Sequence, residues 1–403
     1  MRPALEDVLE ARRILEGVIR KTRLDYSNTF SRMTGCKLYL KLESLQKTGS
    51  FKVRGAYVKI NSLSEEQKRK GVVAASAGNH GQGVAFAASR QKIPSTIVMP
   101  ANASPAKVSA TRGYGADVVL HGVVYDQAWD KALEIAKEQD RTLIHAFDDP
   151  HIIAGQGTVG LEILEDLPDL DAVYAPVGGG GLAAGLAVAL KSKKPSVKVI
   201  GVQSKAFAAM KTSLEKGRLT EYSQGSTIAD GISVKHPGKL TFEILEKHID
   251  DMVTVDDDEI VKTMFLLMER AKLVVEPAGA VGLAHLLSNN HQMKDKKVAT
   301  VLTGGNVDMY LLGQIVSKGL VGTGRMLKIS IQMVDRPGEL KRVVDTIVAN
   351  RVNIVEVLHD RLSQDVAVGK AKVTLNLETE DKEHTERLMG VLKENDIEFE
   401  VIS

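Results

Sequence analysis

The chain has 403 residues, enough for two or three domains with sizeable cores, and 53 basic against 51 acidic residues leave a net charge of +2. That balance, without a basic block or interleaved aromatics, argues against a nucleic-acid groove. One cysteine, Cys36, rules out an intrachain disulfide, no run approaches the ~20 apolar residues of a membrane span, and the charged start lacks a signal's apolar core, so a cytoplasmic protein with no membrane partner is expected.

Residues 8–20 carry apolar side chains at helical spacing and predict a leading helix. Residues 37–42 alternate as a strand, 46–49 read as a turn, and 56–63 read as a helix closed by the polar run 62–70. Ser50-Phe51-Lys52-Val53-Arg54-Gly55-Ala56 therefore sets Lys52 at a strand-to-helix junction, where free backbone N–H groups favour anions. Taken alone, Lys52 reads as an ordinary solvated lysine. Strand 72–75 runs into the sharp turn Ser76-Ala77-Gly78-Asn79-His80-Gly81, followed by helix 83–90, strand 95–100, helix 105–114, strand 117–120, helix 126–139 and strand 142–146. The pattern resumes with strand 172–177, four glycines at 178–181, a helix from Leu182, and strands 197–203 and 298–303.

This alternation predicts an α/β fold, a parallel sheet with helices on both faces and ligands beyond the carboxyl ends of the strands. The glycine-containing turns all fall at such ends and are candidates for one shared site. Residues 319–325 are glycine-rich and read as a linker between a catalytic region, 1–318 with a smaller lobe at about 54–150, and a tail, 326–403. In the tail, strand 327–333, helix 339–350, strands 353–362 and 369–377, helix 382–395 and strand 398–402 follow the βαββαβ order of a ferredoxin-like unit.

Four consecutive glycines between strand and helix let a backbone approach a phosphate closely, with N–H groups and a helix dipole aimed at it. A tight turn with close helix packing is the structural alternative. No Lys-Ser or Lys-Thr follows, as a P-loop needs, and the spacing and downstream acid of a dinucleotide fingerprint are missing. A cofactor with a single phosphate fits better, and a lysine amine beside it suggests a Schiff base with pyridoxal phosphate.

Together, the Lys52 segment, Ser76-Ala77-Gly78-Asn79-His80-Gly81-Gln82, Gly178–Gly181 with Leu182, and Thr303-Gly304-Gly305-Asn306 resemble the fold-type II pyridoxal-phosphate enzymes over roughly residues 5–320, and within them the threonine dehydratases (threonine ammonia-lyases). The resemblance implies a tryptophan synthase β-like pair of open, parallel-rich sheet lobes. Lys52 would carry the cofactor as an imine with Phe51 against its ring, and Asn79 would bond the ring's 3′-oxygen. Gly178, Gly179, Gly180, Gly181 and the Leu182 backbone would hold the phosphate. Thr303 would face the pyridine nitrogen. A hydroxyl there does not keep that nitrogen protonated, which weakens the electron sink and favours prompt loss of a β-leaving group.

By the same resemblance Ser76, Ala77, Gly78, Asn79 and His80 would hold the substrate carboxylate, with Ser76 joining Lys52 as a candidate catalytic residue. His80 is read as supporting the turn, because Lys52 already serves the Cα proton. Glu276 would position the loop or the substrate amine, a structural helix start being the alternative. Related serine racemases carry a serine where this chain has Ala77, so elimination should dominate racemisation. They also bind a divalent cation through acidic residues after the strand at 197–203; residues 203–208 have none, and no metal is expected.

The implied reaction is β-elimination of L-threonine to 2-oxobutanoate and ammonia, and of L-serine to pyruvate. A serine racemase or serine-preferring dehydratase is the alternative, and an inactive amino-acid-binding regulator a remoter one. The tail, with Asp335-Arg336-Pro337-Gly338-Glu339-Leu340, resembles an ACT regulatory domain. It implies an isoleucine or valine effector at Gly338, with Asn353 and Ile354 contributing across a domain pair, and a homodimer or homotetramer. An oligomerisation module without a ligand is the other reading of the tail.

Overall fold

The computed structural model describes residues 2–289 and 293–402, and the chain divides into two units, Met1–Val307 and Asp308–Ser403. In the first, β1 (Leu24–Tyr26), β2 (Lys37–Lys41), β3 (Val72–Ala75), β4 (Ser95–Met99), β5 (Asp117–Leu120), β6 (Thr142–Leu143), β7 (Ala172–Pro176), β8 (Lys198–Ser204), β9 (Asp251–Val255) and β10 (Lys297–Val301) build two sheets. The larger runs β1-β2-β10-β7-β8-β9, parallel except for β1; the smaller runs β5-β4-β3-β6 and is parallel throughout. Every residue of β3, β4 and β7 is buried, as expected where helices cover both faces of a parallel sheet. No helix among the described residues is long and apolar enough to cross a membrane. Cys36 is buried, and burial pushes its thiol up, away from reactivity.

Several elements depart from the sequence reading. The leading helix spans Leu5–Leu15, because Asp7 accepts the Ala4 N–H at 2.7 Å and Gly17 turns left-handed at φ +70. The helix expected at 56–63 begins at Lys52 itself, and that expected at 83–90 begins at Asn79. The helix Pro150–Asp166 has no counterpart in the sequence reading. Asp149 caps it by accepting from the N–H groups of His151 and Ile152, at 2.8 and 3.2 Å. The expected linker is also corrected: the helix Met309–Gly322 runs through its first half, since glycine is tolerated in a helix, and the contact boundary falls after Val307.

The second unit is ferredoxin-like. β11 (Met326–Val334), β12 (Asn353–Asp360), β13 (Lys370–Glu378) and β14 (Glu400–Val401) form an antiparallel sheet in the order β12-β13-β11-β14. The helices Glu339–Ala349 and Lys382–Glu394 close its core through Val343, Ile347, Leu388 and Leu392.

In the first unit the lysine-bearing helix is fixed by a buried cluster of two cations and two anions. Arg54 donates to both oxygens of Glu43 at 2.7 and 2.9 Å, to both oxygens of Glu162 at 2.6 and 2.9 Å, and to Thr158 at 3.1 Å. Lys41 donates to Glu162 at 2.6 Å and to the Thr22 carbonyl at 2.7 Å. Burial works against the Glu43 charge, but Arg54, Lys41 and Thr22 outweigh it and hold its carboxyl below the usual range. Its stabilisation is thus present above the unfolded carboxylate range and lost as pH falls through the lowered folded value. Arg54→Leu strands the Glu43 carboxylate and leaves Glu162 to Lys41 alone, and is expected to cost about 3–5 kcal/mol, read as a lower urea midpoint by circular dichroism; an unchanged midpoint would show that Arg54 contributes nothing.

Candidate active site

Sheet order brings distant turns into one row. β2, β10 and β7 are neighbours and parallel, so the segments leaving their carboxyl ends, 42–52, 302–306 and 177–181, emerge side by side. The smaller sheet does the same with β3 and β6, whose exits are 76–80 and 144–149. Backbone bonds zip the first two exits together: the Phe51 N–H donates to the Thr303 carbonyl at 3.1 Å, the Gly305 N–H to the Gly49 carbonyl at 2.9 Å, and Ser50 bridges Gly304. The Glu276 N–H donates to the Gly304 carbonyl at 2.9 Å, bringing the start of the Pro277–Ser288 helix to the same strip.

Lys52 is the first residue of its helix, half-buried, with its amine 5.3 Å from the Phe51 ring centre and donating to the Ala146 carbonyl at 3.1 Å. Burial lowers the amine to about 8, against the pull of Glu276. Asn79 begins the helix Asn79–Arg90 and donates from Nδ2 to both oxygens of Glu276, at 2.8 and 2.9 Å. Burial pushes Glu276 up to about 7, and Asn79 draws it back down. His80 lies buried with Nε2 2.9 Å from the Ile144 carbonyl, which can only accept, so Nε2 carries the hydrogen. Burial, with Lys52 nearby, lowers its imidazole to about 3; it is a neutral brace between helix and β6. Ser76 accepts the Gly78 N–H at 3.1 Å, which leaves its own hydrogen free, and Ala77 is half-buried beside it.

Gly178–Gly181 link β7 to the Gly181–Lys193 helix. Gly180 has φ +97, and a Cβ there would stand 2.9 Å from that of Thr241; one on Gly179 would stand 2.4 Å from the Phe147 ring. Thr241 donates to the Gly179 carbonyl at 2.6 Å, holding the turn from outside. Only glycine fits this cradle.

Residues 15–304 match the family described as pyridoxal-phosphate dependent enzyme. This chain belongs to that family. It is 49% identical over 398 residues to an L-threonine ammonia-lyase of Thermotoga maritima, covering 99% of both chains. Among solved structures it is similar to the processed form of tomato threonine deaminase isoform 2, with TM-score 0.76 and 36% identity over 80% of this chain and 91% of that one. It is similar too to maize serine racemase, with TM-score 0.75 and 34% identity over 80% and 99%. The fold is that of the fold-type II enzymes, and the enzyme is pyridoxal-phosphate dependent.

The residues present fit that cofactor. The cradle leaves only backbone facing a phosphate at a helix start, the lysine amine is partly desolvated, and Ser50 Oγ lies buried in the lysine turn without a hydrogen-bond partner. Lys52, Asn79, Thr303 and Gly178–Gly181 would hold it; Phe51, Leu182, Ser76 and Glu276 stand on the same exits.

Sequence reasoning missed Ala146, Phe147 and Thr241, and it named Asn306 in a motif without giving it a role. The Asp-Asp-Pro helix-start signal at 148–150, placed after a strand, marks the exit that carries the first two. In the second unit Gly338 (φ +103) follows the end of β11, whereas Asn353 and Ile354 pair with Glu378 and Leu377 at its start. One copy therefore does not bring these three together: the antiparallel course of β12 carries Asn353 to the far end of the sheet. A cavity of about 270 Å³ beside Gly338 is lined instead by Asp335, Arg336, Glu339, His359 and Arg361.

Two outcomes are expected. Gly180→Ala should weaken cofactor binding by about 1–3 kcal/mol of strain, which absorbance titration measures. Capture of pyridoxal phosphate by the cofactor-free protein should rise with pH and level off above about 8, where the Lys52 amine is neutral; a solvated lysine would keep rising toward about 10.4.

Proposed function

We propose that this enzyme converts L-threonine to 2-oxobutanoate and ammonia, and L-serine to pyruvate and ammonia, by loss of the β-hydroxyl and then of the amine. The observation that carries the reading is the identity of 49% across the full length of an L-threonine ammonia-lyase, joined to a half-buried lysine amine set beside the glycine cradle. When bound, pyridoxal phosphate supplies the electron sink for the charge left on the substrate Cα. Lys52, neutral above about 8, takes the Cα proton. The Ser76 hydroxyl and the N–H groups at the start of the Asn79 helix bind the substrate carboxylate. Glu276, near neutrality at about 7, faces Asn79 and orients the substrate amine. His80 takes no part, since its nitrogen is committed to Ile144.

Elimination is favoured over racemisation because Ala77 offers no acid to the second face of the substrate. The tail acts as an ACT domain that binds isoleucine or valine near Gly338, beside a cavity whose Arg336 and Arg361 are paired with Glu339 and Asp335, so that it offers both charges to an amino acid's carboxylate and amine. Exposed Val355, Val357 and Leu358 on the edge strand β12 support pairing of two tails, and so a homodimer or homotetramer. The one cysteine supports a cytoplasmic setting.

The test is steady-state assay of L-threonine and L-serine, with and without isoleucine, alongside chiral analysis of recovered serine. Oxoacid should form from both substrates, with little D-serine, and isoleucine should change the rate. Lys52→Ala should lack cofactor-imine absorbance and make no oxoacid; normal turnover by that variant would refute the reading.

A further inference from the structure

Asn306 closes the motif Thr303-Gly304-Gly305-Asn306, yet the reaction just described gives it no task. Its Nδ2 donates to the Thr48 carbonyl at 2.8 Å and to Asn79 Oδ1 at 2.7 Å. A backbone carbonyl can only accept, so the Thr48 contact fixes which end of the Asn306 amide carries the hydrogens. With both hydrogens spent, Asn306 occupies the oxygen of Asn79 and turns the Asn79 nitrogen toward Glu276. Thr48, Asn306, Asn79 and Glu276 thus form one chain of a single polarity, anchored by a carbonyl at one end and a carboxylate at the other. Gly49 makes room for it: φ there is +70, and a Cβ would stand 2.5 Å from Asn306 Oδ1.

We propose that Asn306 is a positioning residue: it keeps the Asn79 amide nitrogen facing the cofactor ring oxygen, with one N–H shared by the Glu276 carboxylate and the other left for that oxygen, and it ties this orientation to the turn bearing Lys52. The inference rests on the reading of Asn79 as the partner of that oxygen. A reversed Asn79 would aim a carbonyl oxygen at the Glu276 carboxylate, and the ring oxygen would lose its donor. Asn306 acts on the state of the cofactor, not on its capture, because its amide bonds neither the lysine side chain nor the phosphate cradle.

The experiment compares wild type with Asn306→Asp, which keeps the shape and removes the donor, and with Asn306→Ala, which a half-buried site tolerates. Borohydride trapping followed by peptide mass analysis reports whether pyridoxal phosphate reaches Lys52. The absorption spectrum of the loaded protein reports the state of the ring, and kcat and KM for L-threonine are measured separately. Both variants should trap cofactor at Lys52 as wild type does, yet show an altered ratio of absorption bands. Their kcat should be lower by about tenfold, the worth of one well-placed hydrogen bond, with KM changed less. A wild-type spectrum and kcat in both variants, with or without a lower melting temperature, would overturn the inference. Absence of trapped cofactor in the wild type itself would overturn the functional reading beneath it.

Discussion

Arg54 sits two residues beyond Lys52 on the same helix, and its guanidinium is the point on which the catalytic geometry depends. Five donors in a planar fork are satisfied by Glu43, Glu162 and Thr158. Those partners come from the exit of β2 and from the Pro150–Asp166 helix, so the fork is filled in one arrangement of three segments. Apolar residues of the same volume could match its net stability. What the cluster adds is register: it sets the helix that begins with Lys52 at one depth and one rotation against the sheet.

From that fixed helix the rest follows by adjacency in the sheets. The lysine turn, the Thr303–Asn306 strip and the glycine cradle leave three neighbouring strands, and the Asn79 helix and the Ala146 carbonyl leave two neighbouring strands of the other sheet. Backbone does most of the joining: the carbonyls of Thr303, Gly304 and Ala146 accept from Phe51, Glu276 and Lys52, and two helices start beside them. The side chains that remain, Lys52, Asn79, Glu276 and Asn306, are few, and each is held by a partner across the site.

Much of this was legible in the chain. Glycine-rich turns after apolar runs stand out because few residues can replace them, and the alternation of strand and helix gives the class of fold directly. The Pro150–Asp166 helix was not legible, because it is buried nearly all round and carries no amphipathic period, and the equally buried Pro277–Ser288 helix was legible only at its start, after Glu276. The task of Asn306 was hidden for another reason: its partners, Thr48 and Asn79, lie far away in sequence and meet it only through sheet order. Gly338 was legible as a glycine at a helix start, but the company of Asn353 and Ile354 depended on the direction of β12. The linker was misplaced because glycine permits a break without requiring one.

Gly55 and Gly155 have a consequence of their own. The chain passes between the two sheets of the first unit by two routes, one through the Lys52–Asn61 helix and one through the Pro150–Asp166 helix. These routes touch where both lack side chains: a Cβ on Gly155 would come within 2.6 Å of the Gly55 Cα, and one on Gly55 within 2.7 Å of the Ile152 carbonyl. The smaller sheet is thus joined to the larger by two connections that touch beside the lysine itself. The two connections are therefore in backbone contact three residues past Lys52, where any side chain would pry them apart and shift the helix that begins with the lysine.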